Sequence, residues 1–125
     1  MGEIRSFEDL IVWQKAHQFF LDVVRDVDTF SPNATARVIV NQVLRSASSI
    51  SVNIAEGFGR RTGKEYTHYL IVARGSTTET LDWYLKCRDL RLIDSAVFAT
   101  RRATLEEILK MLNRMISQQL NKRSD

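Results

Sequence analysis

The stretch NIAEGFGRRTGKE, Asn53 to Glu65, brings three glycines, three cations and two carboxylates together within thirteen residues. Its reading decides the fold. A phosphate-cradling loop would imply a strand before it and an α/β protein, whereas a turn between two helices implies an all-α one. A P-loop ending at Gly63-Lys64 would need glycine at 58, which is Phe58, and Ser or Thr after Lys64, which is Glu65. The dinucleotide fingerprint fails too, because Thr62 stands where the third glycine after Gly57-x-Gly59 belongs. The apolar pattern leading into the stretch is helical. The stretch therefore reads as punctuation. Gly57 or Gly59 ends one helix in a left-handed conformation, Arg60 and Arg61 sit at its negative end, and Thr62 caps the next with Glu65 completing a capping box.

Working outward, Ala36, Val40, Val43, Ala47, Ile50 and Ile54 step by four and three, the spacing of a bundle seam, over a helix expected at 35–58. Ser6 with Asp9 opens an earlier helix, expected at 7–30. Its apolar row is Leu10, Trp13, Ala16, Phe20, Val24 and Val27, with Asp22, Arg25 and Asp26 on the polar side. Ser31-Pro32-Asn33 ends it. A third helix is expected at 63–93 and a fourth at 95–120, the latter on Leu105, Ile108, Leu112 and Met115, with a less periodic stretch at Phe98 to Arg102. Residues 121–125 read as a loose tail. Four long helices with three short connections predict a single all-α domain over 1–125, an antiparallel up-down-up-down four-helix bundle. The third helix is apolar over too wide an arc for one face. Either it lies centrally among the others, or it carries a second apolar surface for another copy.

Composition narrows the function. One proline and five glycines suit a helical protein; a net charge of +3 permits phosphate contact without requiring it. The single Cys87 excludes an internal disulfide and fits a reducing cytoplasm. There is no run of roughly eighteen apolar residues to cross a membrane, and the first ten residues hold no signal-peptide core. Glu65-x-x-His68 is half of a di-iron motif, but His17 has no glutamate three residues before it, so no metal and no cofactor are expected. No nucleophile and base stand at a recognisable spacing, and no enzyme activity is expected. Arg45, Ser49, Asn53 and Glu56 share an arc of roughly 80° away from the seam, with Val38 and Val52 on the same side. Either this is a solvent-exposed strip or, as the two valines argue, a partly buried polar network fixing helix register or a subunit contact; the network is the expectation.

The runs Gln42 to Ile50, Asn53-Ile54-Ala55-Glu56-Gly57-Phe58-Gly59-Arg60, Glu65, and Ala73-Arg74-Gly75-Ser76 with Glu79 resemble a known family. So does the opening Phe7-Glu8-Asp9-Leu10 with Trp13. These are the small four-helix-bundle proteins encoded in intervening sequences of bacterial 23S ribosomal RNA genes. The likeness spans about residues 7–118, with Ser51-Val52 replacing the usual proline-alanine. It implies a homopentameric ring and kinship with the retroelement accessory variability protein, which acts with a reverse transcriptase and nucleic acid. The ribosomal-protein label attached to the family comes from gene location and implies no ribosomal role. The resemblance carries Arg45, Asn53, Glu56, Gly57, Gly59, Gly75, Ser76 and Glu79 over as signature positions. Five copies of +3 make about +15, enough to attract a polyanion. The function expected is a non-enzymatic oligomeric module contacting RNA, DNA or a nucleic-acid-processing partner, through Arg60, Arg61 and Lys64 at one bundle end and the pair Arg101 and Arg102. The alternative is a protein-binding scaffold with no nucleic-acid contact.

Overall fold

A computed structural model describes residues 2–124, the side chains of residues 123 and 124 excepted. After a 3-10 turn at Phe7–Asp9, four helices follow: α1 (Ile11–Val27), α2 (Ala34–Phe58), α3 (Gly63–Asp89) and α4 (Ser95–Ser124). The protein is an all-α four-helix bundle. α2 packs along α3 and α3 along α4, while α1 closes the ring against α2 and α4. Among the described residues no close backbone approach joins α1 to α3 or α2 to α4. The core runs down the centre through Val12, Phe19, Val43, Ile50, Leu70, Leu105 and Leu112. Phe19 and Tyr84 meet across it, ring centroids 5.8 Å apart.

The punctuation follows the side chains. Ser6 Oγ accepts from the Glu8 amide at 3.2 Å, and Asp9 accepts from the Ser6 amide at 3.1 Å. The amides of Arg5 and Ser6 hold the Asp9 carboxyl below its ordinary pKa. Asn33 caps α2, accepting from the Ala36 amide at 2.8 Å. The box at Thr62 is complete: Thr62 Oγ1 accepts from the Glu65 amide at 3.1 Å, and Glu65 accepts from the Thr62 amide at 3.3 Å.

Several sequence expectations need correcting. The first helix does not run unbroken from residue 7, because Leu10 is extended (φ −75°, ψ 124°) and separates the 3-10 turn from α1. It ends at Val27 rather than at residue 30. Its buried row is Val12, Ala16, Phe19 and Val23; Val24 is exposed and Trp13 and Phe20 are half-buried, because α1 is wedged between α2 and α4. Neither Gly57 nor Gly59 is left-handed: no glycine has positive φ, and Gly59 closes α2 at φ −80°. α4 is continuous through Phe98, which is buried, and on to Ser124, so residues 121–124 are helical; Asp125 lies outside the described residues. α3 is a corner helix, not a central one, so its wide apolar arc is left partly bare at Ile71, Val72 and Leu90.

α3 stops at Asp89, short of the expected residue 93, through a Schellman turn. The Leu92 amide donates to the Cys87 carbonyl at 2.9 Å and the Arg91 amide to the Arg88 carbonyl at 3.0 Å. The left-handed position is Arg91, at φ 59°. A side chain there is strained, and glycine removes the strain. Arg91→Gly is expected to raise the unfolding free energy by about 1 kcal/mol in urea titration.

Candidate functional site

The α2–α3 hairpin gathers most of the motif residues on one outer strip. Arg45 donates twice to Gln42 Oε1, at 3.1 and 2.9 Å, and forms an ion pair with Glu79 across the groove. Glu79 also accepts from the Trp83 indole at 3.1 Å. Two turns further along α2, Asn53 Nδ2 donates back to the Ser49 carbonyl at 2.8 Å and to Ser49 Oγ at 2.9 Å. The Ser49 hydroxyl also shares a hydrogen bond with Ser76 Oγ, 2.8 Å away. Deeper in the groove Thr80 Oγ1 lies 2.8 Å from Ser46 Oγ. These pairs fix an antiparallel register in which Ser49 faces Ser76 and Arg45 faces Glu79.

Glu56 stands apart from this network. It pairs with Arg60 at 3.0 Å, and Arg60 also donates to Tyr69 Oη at 2.7 Å while its guanidinium lies 4.7 Å from the Tyr69 ring centroid. The strip is less buried than Val38 and Val52 suggested. Both valines are more than half exposed, 58% and 56%, because α3 covers only one flank of α2.

The signature glycines do different work. A Cβ on Gly57 would stand 2.8 Å from Tyr69 Cβ and 3.0 Å from Tyr66 Cδ1, so this glycine lets α3 close onto α2. A Cβ on Gly75, in the middle of α3, would meet nothing within 4 Å. An internal helical glycine costs roughly 0.5–1 kcal/mol relative to alanine, and the chain's own packing gives nothing back at this position.

The cations divide by partner. Arg101 is not a free surface charge. Its Nε and Nη2 hold Asp26 Oδ2 and Oδ1 at 2.7 and 2.9 Å, and Asp22 lies 3.6 Å away. Tyr84 Oη donates to the same Asp26 at 2.7 Å. The clamp ties α1, α3 and α4 together inside the bundle. Its hydrogen bonds to Asp26 raise the Arg101 pKa and keep it charged, and burial, then Asp26, raises that of Tyr84. Burial likewise pushes the nearby Cys87 thiol up to about 11. Asp26 was expected on the polar side of α1 and is instead buried; its partner Arg101 is 75 residues away, so no local pattern reveals the pair. Arg102 makes a loose pair with Glu106 at 3.8 Å.

Arg61 and Lys64 carry no partner among the described residues and are exposed at the α2–α3 turn. Lys64, His68 and Tyr69, with Arg60 and Glu65, line a depression of about 340 Å³. A further set escaped the sequence reading. Arg74 donates to Asn113 at 3.1 Å, tying α3 to α4, and Lys110 and Arg114, without partners among the described residues, flank Asn113 on the outer side of α4. Neither 66–78 nor 108–124 contains a carboxylate. That acid-free run along α4 was the available signal. Glu65 is spent on the Thr62 box, and among the described residues no group of three or more His, Cys, Asp or Glu is placed to hold a metal ion. No described helix is long and apolar enough to cross a membrane.

A four-helix bundle with polar pairs such as Arg45–Glu79, Ser49–Ser76 and Asp26–Arg101 set between its helices, and with outer faces that differ in charge, belongs to the class of small helical modules. The family profile of the 23S rRNA-intervening sequence protein matches residues 8–114, and the chain belongs to that family. A solved structure with similar fold is a protein of unknown function from the S23 ribosomal protein family of Bacteroides thetaiotaomicron VPI-5482. It superposes with a TM-score of 0.79 at 24% identity, over 85% of this chain and 98% of that one. No curated protein matches the sequence.

Proposed function

We propose that the protein is a non-enzymatic, self-associating module of the cytoplasm that presents a cationic face to RNA or DNA. One observation carries the reading: the α2–α3 strip pairs its charges, whereas the α2–α3 turn and the α3–α4 side gather cations without carboxylate partners among the described residues. On the α2–α3 strip Arg45 is matched by Glu79, Glu56 by Arg60 and Asp82 by Lys86, with Val38, Val52 and Val72 exposed between them. A neutral, part-apolar surface suits a second copy of itself. The α2–α3 turn and the α3–α4 side instead carry Arg61, Lys64, Lys110 and Arg114, none paired among the described residues, with Arg74 held there only by an amide. Repetition of that face in an assembly multiplies its attraction for phosphates. Arg60, engaged by Glu56 and Tyr69, lies at the junction of the two surfaces and Arg101 is withdrawn from the set. No reaction is assigned, since buried Asp26 and Tyr84 and the half-buried Arg101 are spent on one another.

The test is fluorescence polarisation with labelled single- and double-stranded RNA and DNA between about 50 and 200 mM salt, where each phosphate contact adds roughly −0.7 to −0.9 to the salt slope. Binding is expected to weaken steeply with salt. Arg61→Ala/Lys64→Ala/Lys110→Ala/Arg114→Ala should weaken it at least tenfold and flatten the slope, while Arg25→Ala leaves it unchanged. Absence of binding at 50 mM salt would favour the protein-binding scaffold that the exposed valines of the strip also fit.

A further inference from the structure

The end of the bundle away from the Gly59–Thr62 turn holds a depression that the reading above does not use. It lies where α1 passes into α2 and has a volume of about 290 Å³. Buried Ala36 lines it together with half-buried Val27, Phe30 and Val40; exposed Ser31, Pro32, Arg37 and Asn41 complete the lining. Two of these polar residues are four apart on α2, hence on one helix face with Cβ atoms about 5–6 Å apart. Among the described residues, neither the Arg37 nor the Asn41 side chain has a hydrogen bond or ion pair. They contrast with Arg25, Arg45 and Arg60, each of which faces a carboxylate.

The electrostatics of the place point one way. Arg37 sits four residues into a helix of 25 residues whose first turn contains no acidic side chain. The positive end of the helix is therefore not neutralised from within the first turn. A guanidinium and an amide four residues apart offer several N–H donors and match the acceptors of a carboxylate, and charge-assisted bonds of this kind are among the stronger ones. Beside them the apolar lining has room for a group the size of one large side chain. The volume is at the small end for ligand pockets, which run from roughly 300 Å³ upward, so a large cofactor does not fit.

We infer that this depression binds a small amphipathic carboxylate, one aliphatic or aromatic group placed against Val27, Phe30, Ala36 and Val40 with its carboxylate held by Arg37 and Asn41. The same chemistry is presented by a free organic acid and by the last residue of a peptide chain. The site is separate from the cationic α3–α4 face and does not depend on it.

Amide shifts of the full chain, followed by two-dimensional NMR, test the site with 4-methylpentanoate, N-acetyl-Gly-Gly-Leu and the C-terminal amide of that peptide as probes. Saturable shifts confined to the amides of Val27, Phe30, Ala36, Arg37, Val40 and Asn41 are expected from at least one of the two acids. The tighter of the two identifies the source. The amide should bind at least tenfold more weakly than the acid. Arg37→Ala is an exposed substitution whose fold is checked by circular dichroism, and it should weaken the acid tenfold or more. Shifts that fail to saturate with both acids, equal binding of acid and amide, or unchanged binding by Arg37→Ala overturns the assignment.

Discussion

Replacing Asp26 by alanine is expected to cost about 3–5 kcal/mol of folding free energy, the usual penalty for breaking a buried ion pair from one side. The substitution leaves the Arg101 guanidinium, a side chain only 17% exposed, and the Tyr84 hydroxyl without their acceptor. Asp22, 3.6 Å from Arg101, softens the loss and places it toward the lower end of that range. Removing all three polar groups together is a different experiment. Asp26→Leu/Tyr84→Phe/Arg101→Met exchanges the clamp for apolar contacts, and such exchanges are often neutral. The triple variant should therefore regain most of what the single one loses. Urea unfolding at one fixed protein concentration measures both, since self-association would otherwise shift the midpoint. A loss below about 1 kcal/mol in Asp26→Ala would mean that Arg101 is solvated rather than held.

The second large effect separates the two signature glycines. Gly57→Val should destabilise the chain by about 3 kcal/mol, because overpacking a tight contact typically costs 1–3 kcal/mol and a branched side chain lies at the high end. The obstructing atom is Tyr69 Cβ, close to the backbone, and cannot swing away as a side-chain tip could. Gly75→Ala should do the reverse and raise the stability of the single chain by roughly 0.5–1 kcal/mol, since alanine is the better helix former and the space is open. One glycine is thus explained by the fold of the chain and the other is not. Under the proposed self-association, the bare helix surface at Gly75 leaves room for another copy to approach closely.

Much of the fold is legible in the sequence because its signals are local. The caps at Ser6 and Thr62 need only a residue and its third neighbour. The seam of α2 needs only steps of three and four, and Ala36, Val43, Ala47, Ile50 and Ile54 are all buried. What is not legible depends on partners. α1 carries two adjacent apolar rows, and only its position between α2 and α4 selects the row of Val12, Phe19 and Val23. Arg91 adopts a conformation normally signalled by glycine. Asp26 resembles any polar residue of an amphipathic helix until Arg101 and Tyr84 arrive from two other helices. The site was legible to a similar degree. The Arg45, Ser49 and Asn53 set was recognisable by spacing, and the structure supplies its partners Glu79 and Ser76. The separation of Glu56 toward Arg60, the α4 cations Lys110 and Arg114, and the withdrawal of Arg101 into a clamp with Asp26 were not anticipated.

The central claim is that the outer α2–α3 strip meets another copy of this chain. Light scattering on the purified wild type and on Gly75→Trp tests it most directly. The wild type is predicted to scatter at a multiple of its 14.4 kDa chain mass, fivefold for the ring that the family resemblance implies. Gly75→Trp should keep its helical circular dichroism yet fall to the mass of one chain. A wild type at 14.4 kDa, or a tryptophan variant that assembles as the wild type does, would contradict it.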